Sequence, residues 1–170
     1  NFNNAREAFI KLKDQENYNK YDRVIERLAE LEFEQKNFNE AIKYYRKYEP
    51  LAANKKAQYR AWSALMECYY ALKKYDSVDL YANNILERGL VAADAEGKAQ
   101  LYLGKSAYER NIYTNAIDHF LNAVNTAKDE NGAEAQYMLA TIYYKQGKHQ
   151  NSLETLFDLS KNFSIYEYWL

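Results

Sequence analysis

Side chains suited to catalysis or metal binding are few and scattered along this chain. The two histidines, His119 and His149, have no Cys-x-x-Cys or His-x-x-x-His partner, so a zinc site is not expected. Cys68 lies between Glu67 and Tyr69 and has no Lys or His nearby in sequence that would stabilise a thiolate. We therefore predict no metal site and no cysteine nucleophile, with packing roles for Cys68 and His149.

Other common catalytic arrangements are not recognisable in the sequence. Gly97 and Gly104 do not have the spacing of a phosphate-binding loop, and no nucleophile-elbow pattern occurs. Pairs of carboxylates are numerous, but charged helix surfaces commonly supply such pairs. The sequence predicts a protein that is not an enzyme and that uses no cofactor.

The composition is that of a folded protein with balanced charge. Of the 170 residues, 48% are hydrophobic and 28% are charged, and the formal net charge of -1 gives no bulk electrostatic reason to bind nucleic acid. No apolar run approaches the roughly 20 residues of a membrane-spanning helix, so direct membrane insertion is not expected. Only 5 Gly and 1 Pro argue against a many-stranded β fold.

The sequence contains segments that repeat with a period near 37 residues. Equivalent segments start at residues 25, 62, 100 and 136, separated by 37, 38 and 36 residues. Within each segment, apolar residues are spaced by three and four, which is the helical period. A short polar turn divides each segment into a first and a second helix. The second helix is predicted to open at an aromatic residue or a histidine, namely Phe38, Tyr75, Tyr113 and His149.

The signature residues of these segments resemble the tetratricopeptide repeat family. The first-helix signature is carried best by Trp62, Leu65 and Tyr69, and the second-helix signature by Ala116, Phe120 and Ala123. Small residues at fixed positions let the helices approach closely. The resemblance implies an all-α fold, a right-handed α-α superhelix (a solenoid) of about four helix pairs with partial repeats at both ends. The sequence departs from the signature where Met66, Val78, Glu32 and Ala107 replace the usual residue types.

The repeats predict one array over residues 1–170. We place the four repeats at residues 18–50, 53–89, 92–128 and 131–162. Residues 1–15 are predicted to form the second helix of a partial repeat, and residues 165–170 the start of a further helix. We interpret the chain as a fragment of a longer solenoid whose truncated ends can self-associate.

The predicted binding surface comes from the resemblance, because first helices usually line the concave face in this family. The register places one aromatic residue of each repeat in a row and further polar and aromatic residues beside it: Phe33, Tyr70, Tyr108 and Tyr144, with Arg60, Lys98, Lys105 and Tyr137. The resemblance implies a non-catalytic scaffold that binds a peptide or protein on this face. The alternative for the row is that its rings pack between the two helices of each pair.

Two other functions remain open at this stage. The chain is alternatively a structural spacer or oligomerisation arm of a larger protein, or a glycan-binding helical module. The glycan-binding alternative predicts an exposed Trp on a long insertion, which neither Trp62 nor Trp169 provides. The compartment is unknown, although residues 157–170 are similar to linkers of bacterial cell-envelope members of the family, which favours the periplasm or cell envelope over the cytoplasm.

Overall fold

The computed structural model describes residues 2–12, 20–88 and 93–164. These residues form α-helices, one 3-10 turn and short connections, with no β-strand among them, so the predicted all-α class is confirmed. The helices are α1 (Phe2–Leu12), α2 (Tyr21–Glu34), α3 (Phe38–Tyr48), α4 (Lys55–Ala71), α5 (Tyr75–Glu87), α6 (Ala93–Glu109), α7 (Tyr113–Thr126), α8 (Glu130–Lys145) and α9 (His149–Asn162). The helix start predicted at residues 165–170 lies outside the described residues.

The chain divides into two compact units, Asn1–Tyr81 and Ala82–Leu170, and the division falls within α5. In the first unit, α1 packs on α2, α2 on α3, and α3 on α4. In the second unit, α6 packs on α7, α7 on α8, and α8 on α9, while α6 also contacts α8 directly. Within each unit, these helices that follow one another in sequence are therefore neighbours in space. The first helices of the pairs are α2, α4, α6 and α8.

The four turns within the helix pairs share one backbone conformation. Each contains one residue with positive φ, at Lys36, Lys73, Asn111 and Gly147. The following N–H group returns to the carbonyl five residues earlier, as from Asn37 to Glu32 at 2.9 Å. This is the Schellman motif that ends many helices. The positive-φ residue recurs with the period of the sequence repeat, so the same local motif ends each of the four first helices.

The core is built where large side chains of one helix meet small residues of the next. Gly104 of α6 is buried against Phe120 of α7, and a Cβ atom at Gly104 would stand 2.5 Å from the Phe120 ring. At the same register in other first helices, Ala29 and Ala140 are buried. These small residues allow the close helix approach that the repeat signature predicts.

A charged residue replaces one signature aromatic in the first unit. Glu32 is completely buried, at the position that Tyr69 occupies in the next first helix. Its carboxylate accepts hydrogen bonds from Arg6 Nε at 2.5 Å and from Asn37 Nδ2 at 2.9 Å. The hydrogen bond to Glu32 raises the pKa of the Arg6 guanidinium above its usual value. Glu32 thus ties α1 to the first turn, whereas Tyr69 stacks on Tyr81 with ring centroids 5.6 Å apart.

Candidate functional site

The predicted aromatic row lies where each first helix meets its turn. Every ring of the row contacts the residue that opens the second helix, five positions later. The centroid distances are 6.2 Å for Phe33–Phe38, 6.1 Å for Tyr70–Tyr75, 5.7 Å for Tyr108–Tyr113 and 5.2 Å for Tyr144–His149. Inclined ring pairs at these separations are favourable contacts. Each ring therefore helps to close its own helix pair, whichever further role it has.

The rings differ in how much of their surface remains accessible. Phe33, Tyr70 and Tyr108 are half-buried, whereas Tyr144 is 65% exposed. Tyr137, also on α8, is 39% exposed. Residues 137 and 144 are seven positions apart and therefore lie on the same side of α8. The accessible aromatic surface of the candidate site is concentrated on this helix.

Two of the predicted cations join neighbouring first helices. Arg60 of α4 donates to Glu26 of α2 at 2.6 Å. In the second unit, Lys105 of α6 donates to Glu134 of α8 at 2.7 Å, and its ammonium lies 4.7 Å from the Tyr102 ring centroid. Arg60 and Lys105 therefore already have intramolecular carboxylate partners.

Lys98, the third predicted cation, is half-buried on α6. A further cation belongs to the site although the sequence analysis does not include it. Lys145 at the end of α8 donates a hydrogen bond to the Tyr108 hydroxyl, and its ammonium lies 4.6 Å from the centroid of that ring. This hydrogen bond raises the pKa of Lys145 above its usual value. In the sequence, Lys145 could have been recognised by its position directly after Tyr144, a member of the aromatic row.

In the first unit, the buried tyrosines Tyr45 and Tyr48 of α3 lie close to acidic residues of the first helices. Burial, together with a hydrogen bond to Glu26, raises the pKa of Tyr48 to about 12. Burial also raises the pKa of Tyr45, with Glu30 as the next contributor. These phenols stay protonated at neutral pH and can act as hydrogen-bond donors to carboxylates. The repeat pattern identifies both rings as second-helix residues but does not show their hydroxyls near these acids.

The residues with catalytic potential have structural surroundings. His119 Nδ1 is 2.9 Å from Gln100 Oε1, and His149 packs on Tyr144. Burial raises the pKa of Cys68 to about 12, so its thiol stays protonated. Within residues 2–12, 20–88 and 93–164, no group of three His, Cys, Asp or Glu residues could hold a metal ion.

Comparison with known proteins gives a family match in the last described helix pair. Residues 134–164 match the model of the tetratricopeptide repeat family. The match covers most of α8 and all of α9, and this helix pair is similar to a tetratricopeptide repeat. No curated protein matches its sequence. The fold of the chain is that of known helical-repeat structures, as predicted.

Two crystal structures illustrate the shared fold. The apo form of RapI is 14% identical to this chain with a TM-score of 0.74, and the match covers 98% of this chain and 49% of RapI. BtubC from P. vanneervenii is 15% identical with a TM-score of 0.69, and the match covers 99% of this chain and 74% of BtubC. The chain thus spans about half the length of RapI.

Together, these matches show a helical-repeat fold. Among the described helices, none has the length and apolar character needed to cross a membrane.

Proposed function

We propose that the protein is a non-catalytic scaffold and that it binds a peptide or protein segment on the first-helix face of its second unit. We define this face by the side chains of α6 and α8 at Lys98, Lys105, Tyr108, Tyr137, Tyr144 and Lys145. The observation that carries the proposal is the exposure of Tyr137 and Tyr144 beside the Lys145–Tyr108 contact. In this fold class, first helices line the concave surface on which ligands are held.

The chemistry of this face suits a polypeptide ligand. A tyrosine offers a rigid apolar ring with a polar tip, and aromatic residues dominate the energetics of many protein interfaces. Lys145 borders the Tyr108 ring and can orient carbonyl or carboxylate groups of the ligand. At Lys105, as at Arg60, a ligand would have to compete with a carboxylate already in place. A specific complex on such a surface would bury about 1,200–2,000 Å² in total.

The equivalent residues of the first unit, Phe33, Tyr70 and Arg60, form a second and less favourable candidate surface. Phe33 packs against both Phe38 and Tyr45, with ring centroids 6.2 and 6.4 Å apart. Arg60 is bound to Glu26, so a ligand would have to compete with a carboxylate already in place.

The spacer alternative is supported by one observation, the contact of every row ring with its own second helix. Under that alternative the row stabilises each helix pair and binds nothing else. The glycan-binding alternative has no such support. Trp62 is buried and donates to Glu49 Oε1 at 2.6 Å, so it offers no stacking platform, and Trp169 lies outside the described residues. The cell-envelope location and self-association both stay predictions.

An affinity pull-down with matched variants tests the proposal. The test variant is Tyr137→Ala/Tyr144→Ala, since both rings are exposed. Because Tyr144 also packs on His149, circular dichroism first establishes that the variant is folded. The control is Leu121→Ala, an exposed apolar residue on the second helix α7 of the same unit. We expect a partner from the source cell to be retained by the wild type and the control and lost from the test variant. Equal retention by all three proteins would refute the proposal and favour the spacer.

A further inference from the structure

An open cavity lies beside the first turn, where α2 ends. It has a volume of about 480 Å³, and its walls come from α1, α2, the following turn, the start of α3 and the residue that ends α4. All of these elements belong to the first unit. The lining side chains that bear on binding are Arg6, Glu32, Lys36, Phe38, Glu40 and Leu72.

The most specific feature of the cavity is a guanidinium held in place by a buried carboxylate. Glu32 is completely buried and accepts a hydrogen bond from Arg6 Nε at 2.5 Å, while its second oxygen accepts from Asn37 Nδ2 at 2.9 Å. The Arg6 side chain nevertheless stays 37% exposed. Within the part of the chain that the structure describes, its two terminal nitrogens form no hydrogen bond. A guanidinium presented in this way can hold a carboxylate by two parallel hydrogen bonds.

Two further features of the cavity favour an anion. Lys36 is exposed on the turn and has no carboxylate partner among the described residues. The side chain of the N-cap residue Asn37 contacts Glu32 and does not cap α3. The first N–H groups of α3 are therefore also available to a negatively charged ligand.

The acids at the cavity limit the charge of the ligand. As many acids as bases line it, namely Glu32 and Glu40 against Arg6 and Lys36. The Glu40 carboxylate also lies 3.4 Å from Lys43 Nζ. Because the acids offset most of the positive charge, a singly charged anion fits better than a doubly charged one. This balance favours an organic carboxylate over phosphate.

An apolar wall adjoins these charged groups. Phe38 and Leu72 line the cavity, and the Phe38 ring is held by an edge contact with Phe33, with ring centroids 6.2 Å apart. We propose that the cavity binds a small organic carboxylate, with its charged end at Arg6 and Lys36 and its apolar part against Phe38. This site lies in the first unit and does not depend on the first-helix face of the second unit.

Sodium benzoate provides the probe, and benzamide is its uncharged counterpart of the same shape. The isotope-labelled 170-residue chain is titrated at constant ionic strength and followed by NMR. Benzoate should shift the amide signals of residues 36–40 and saturate at millimolar concentration. Benzamide should bind about tenfold more weakly, because it cannot accept charge-assisted hydrogen bonds as an anion. Inorganic phosphate should also bind more weakly than benzoate, because it has no apolar part.

Four variants locate the binding site. Lys36→Gln should weaken benzoate binding about threefold, and Glu40→Gln should strengthen it by about as much. Lys73→Gln, at the equivalent positive-φ residue of the next turn, is the matched control and should leave the affinity unchanged. Arg6→Met/Glu32→Gln removes the cation and the buried carboxylate together, so that neither is left unpaired, and should abolish binding. Circular dichroism establishes that each variant is folded.

Several results would overturn the proposal. Equal binding of benzamide would show that the cavity recognises the ring and not the charge, and tighter binding of phosphate would identify phosphate as the ligand instead. A loss of affinity in Lys73→Gln as large as in Lys36→Gln would indicate general attraction to surface lysines. Absence of saturable shifts at residues 36–40 would exclude the site. Tyr137→Ala/Tyr144→Ala should leave benzoate binding unchanged, which separates this test from that of the proposed function.

Discussion

The two units use the same helix-pair framework for different surfaces. Both units join neighbouring first helices by an ion pair, Arg60–Glu26 in the first and Lys105–Glu134 in the second. In the first unit, the row members Phe33 and Tyr70 are half-buried. In the second unit, Tyr137 and Tyr144 are exposed. The turns differ as well, since the positive-φ residues are lysines in the first unit and Asn111 and Gly147 in the second.

This difference shows which features the repeat dictates and which it leaves variable. Turn geometry and the positions of small core residues recur from pair to pair, because helices cannot pack without them. Surface chemistry does not recur, because solvent-facing positions tolerate most residue types. A search for function should therefore start from what distinguishes the second unit, not from what all repeats share.

The largest expected effect is on the core of the second unit. Gly104→Leu places a side chain where the Phe120 ring already lies, so we expect a loss of about 3 kcal/mol in the free energy of unfolding. Thermal melting followed by circular dichroism measures it. Ala71→Leu, at an exposed position on α4, is the matched control and should melt near the wild type. An unchanged melting temperature for Gly104→Leu would show that the packing of α6 on α7 is misassigned.

A second prediction concerns the first unit at alkaline pH. Burial raises the pKa of Tyr81 to about 12 in the folded protein, against about 10 in the unfolded chain. The unfolded chain therefore loses this proton first, so stability is complete below pH 10 and decreases as the pH rises towards 12. The loss amounts to about 2 kcal/mol for this one phenol.

Urea denaturation at pH 8 and pH 11 tests this alkaline effect. Tyr81→Phe removes the ionisable group and should reduce the stability difference between the two pH values. Val78→Ala, at a buried and non-ionisable position of the same helix, should lower stability equally at both. An undiminished pH dependence in Tyr81→Phe would contradict the assignment.

The smallest effect sharpens the comparison of the turns. Lys73 has φ of 55°, a conformation that costs an L-residue about 1–2 kcal/mol, whereas Gly147 occupies the equivalent position in the second unit without that cost. Lys73→Gly should stabilise the protein by about 1 kcal/mol, and Gly147→Ala should destabilise it by about as much. The control Lys74→Gly, at the next residue, should give no gain. Differential scanning calorimetry resolves changes of this size.

The sequence was sufficient for most of the fold and for part of the candidate site. It predicted that second helices open at Phe38, Tyr75, Tyr113 and His149, and each second helix begins there. It placed Tyr137 and Tyr144 on one helix, where both are exposed. It gave no indication that Glu32 would bind Arg6, because that contact joins residues far apart in the chain.

What the sequence alone determined about this protein is local: the helical period, the turn residues and the spacing of small and large side chains. These depend on interactions within a few residues, so the chain itself specifies them. Only the tertiary structure decided which polar and charged side chains meet. Arg60 finds Glu26, and Lys145 finds Tyr108, across 34 and 37 residues. Such contacts depend on how neighbouring helices are rotated and shifted against each other, and packing of the whole unit sets that register.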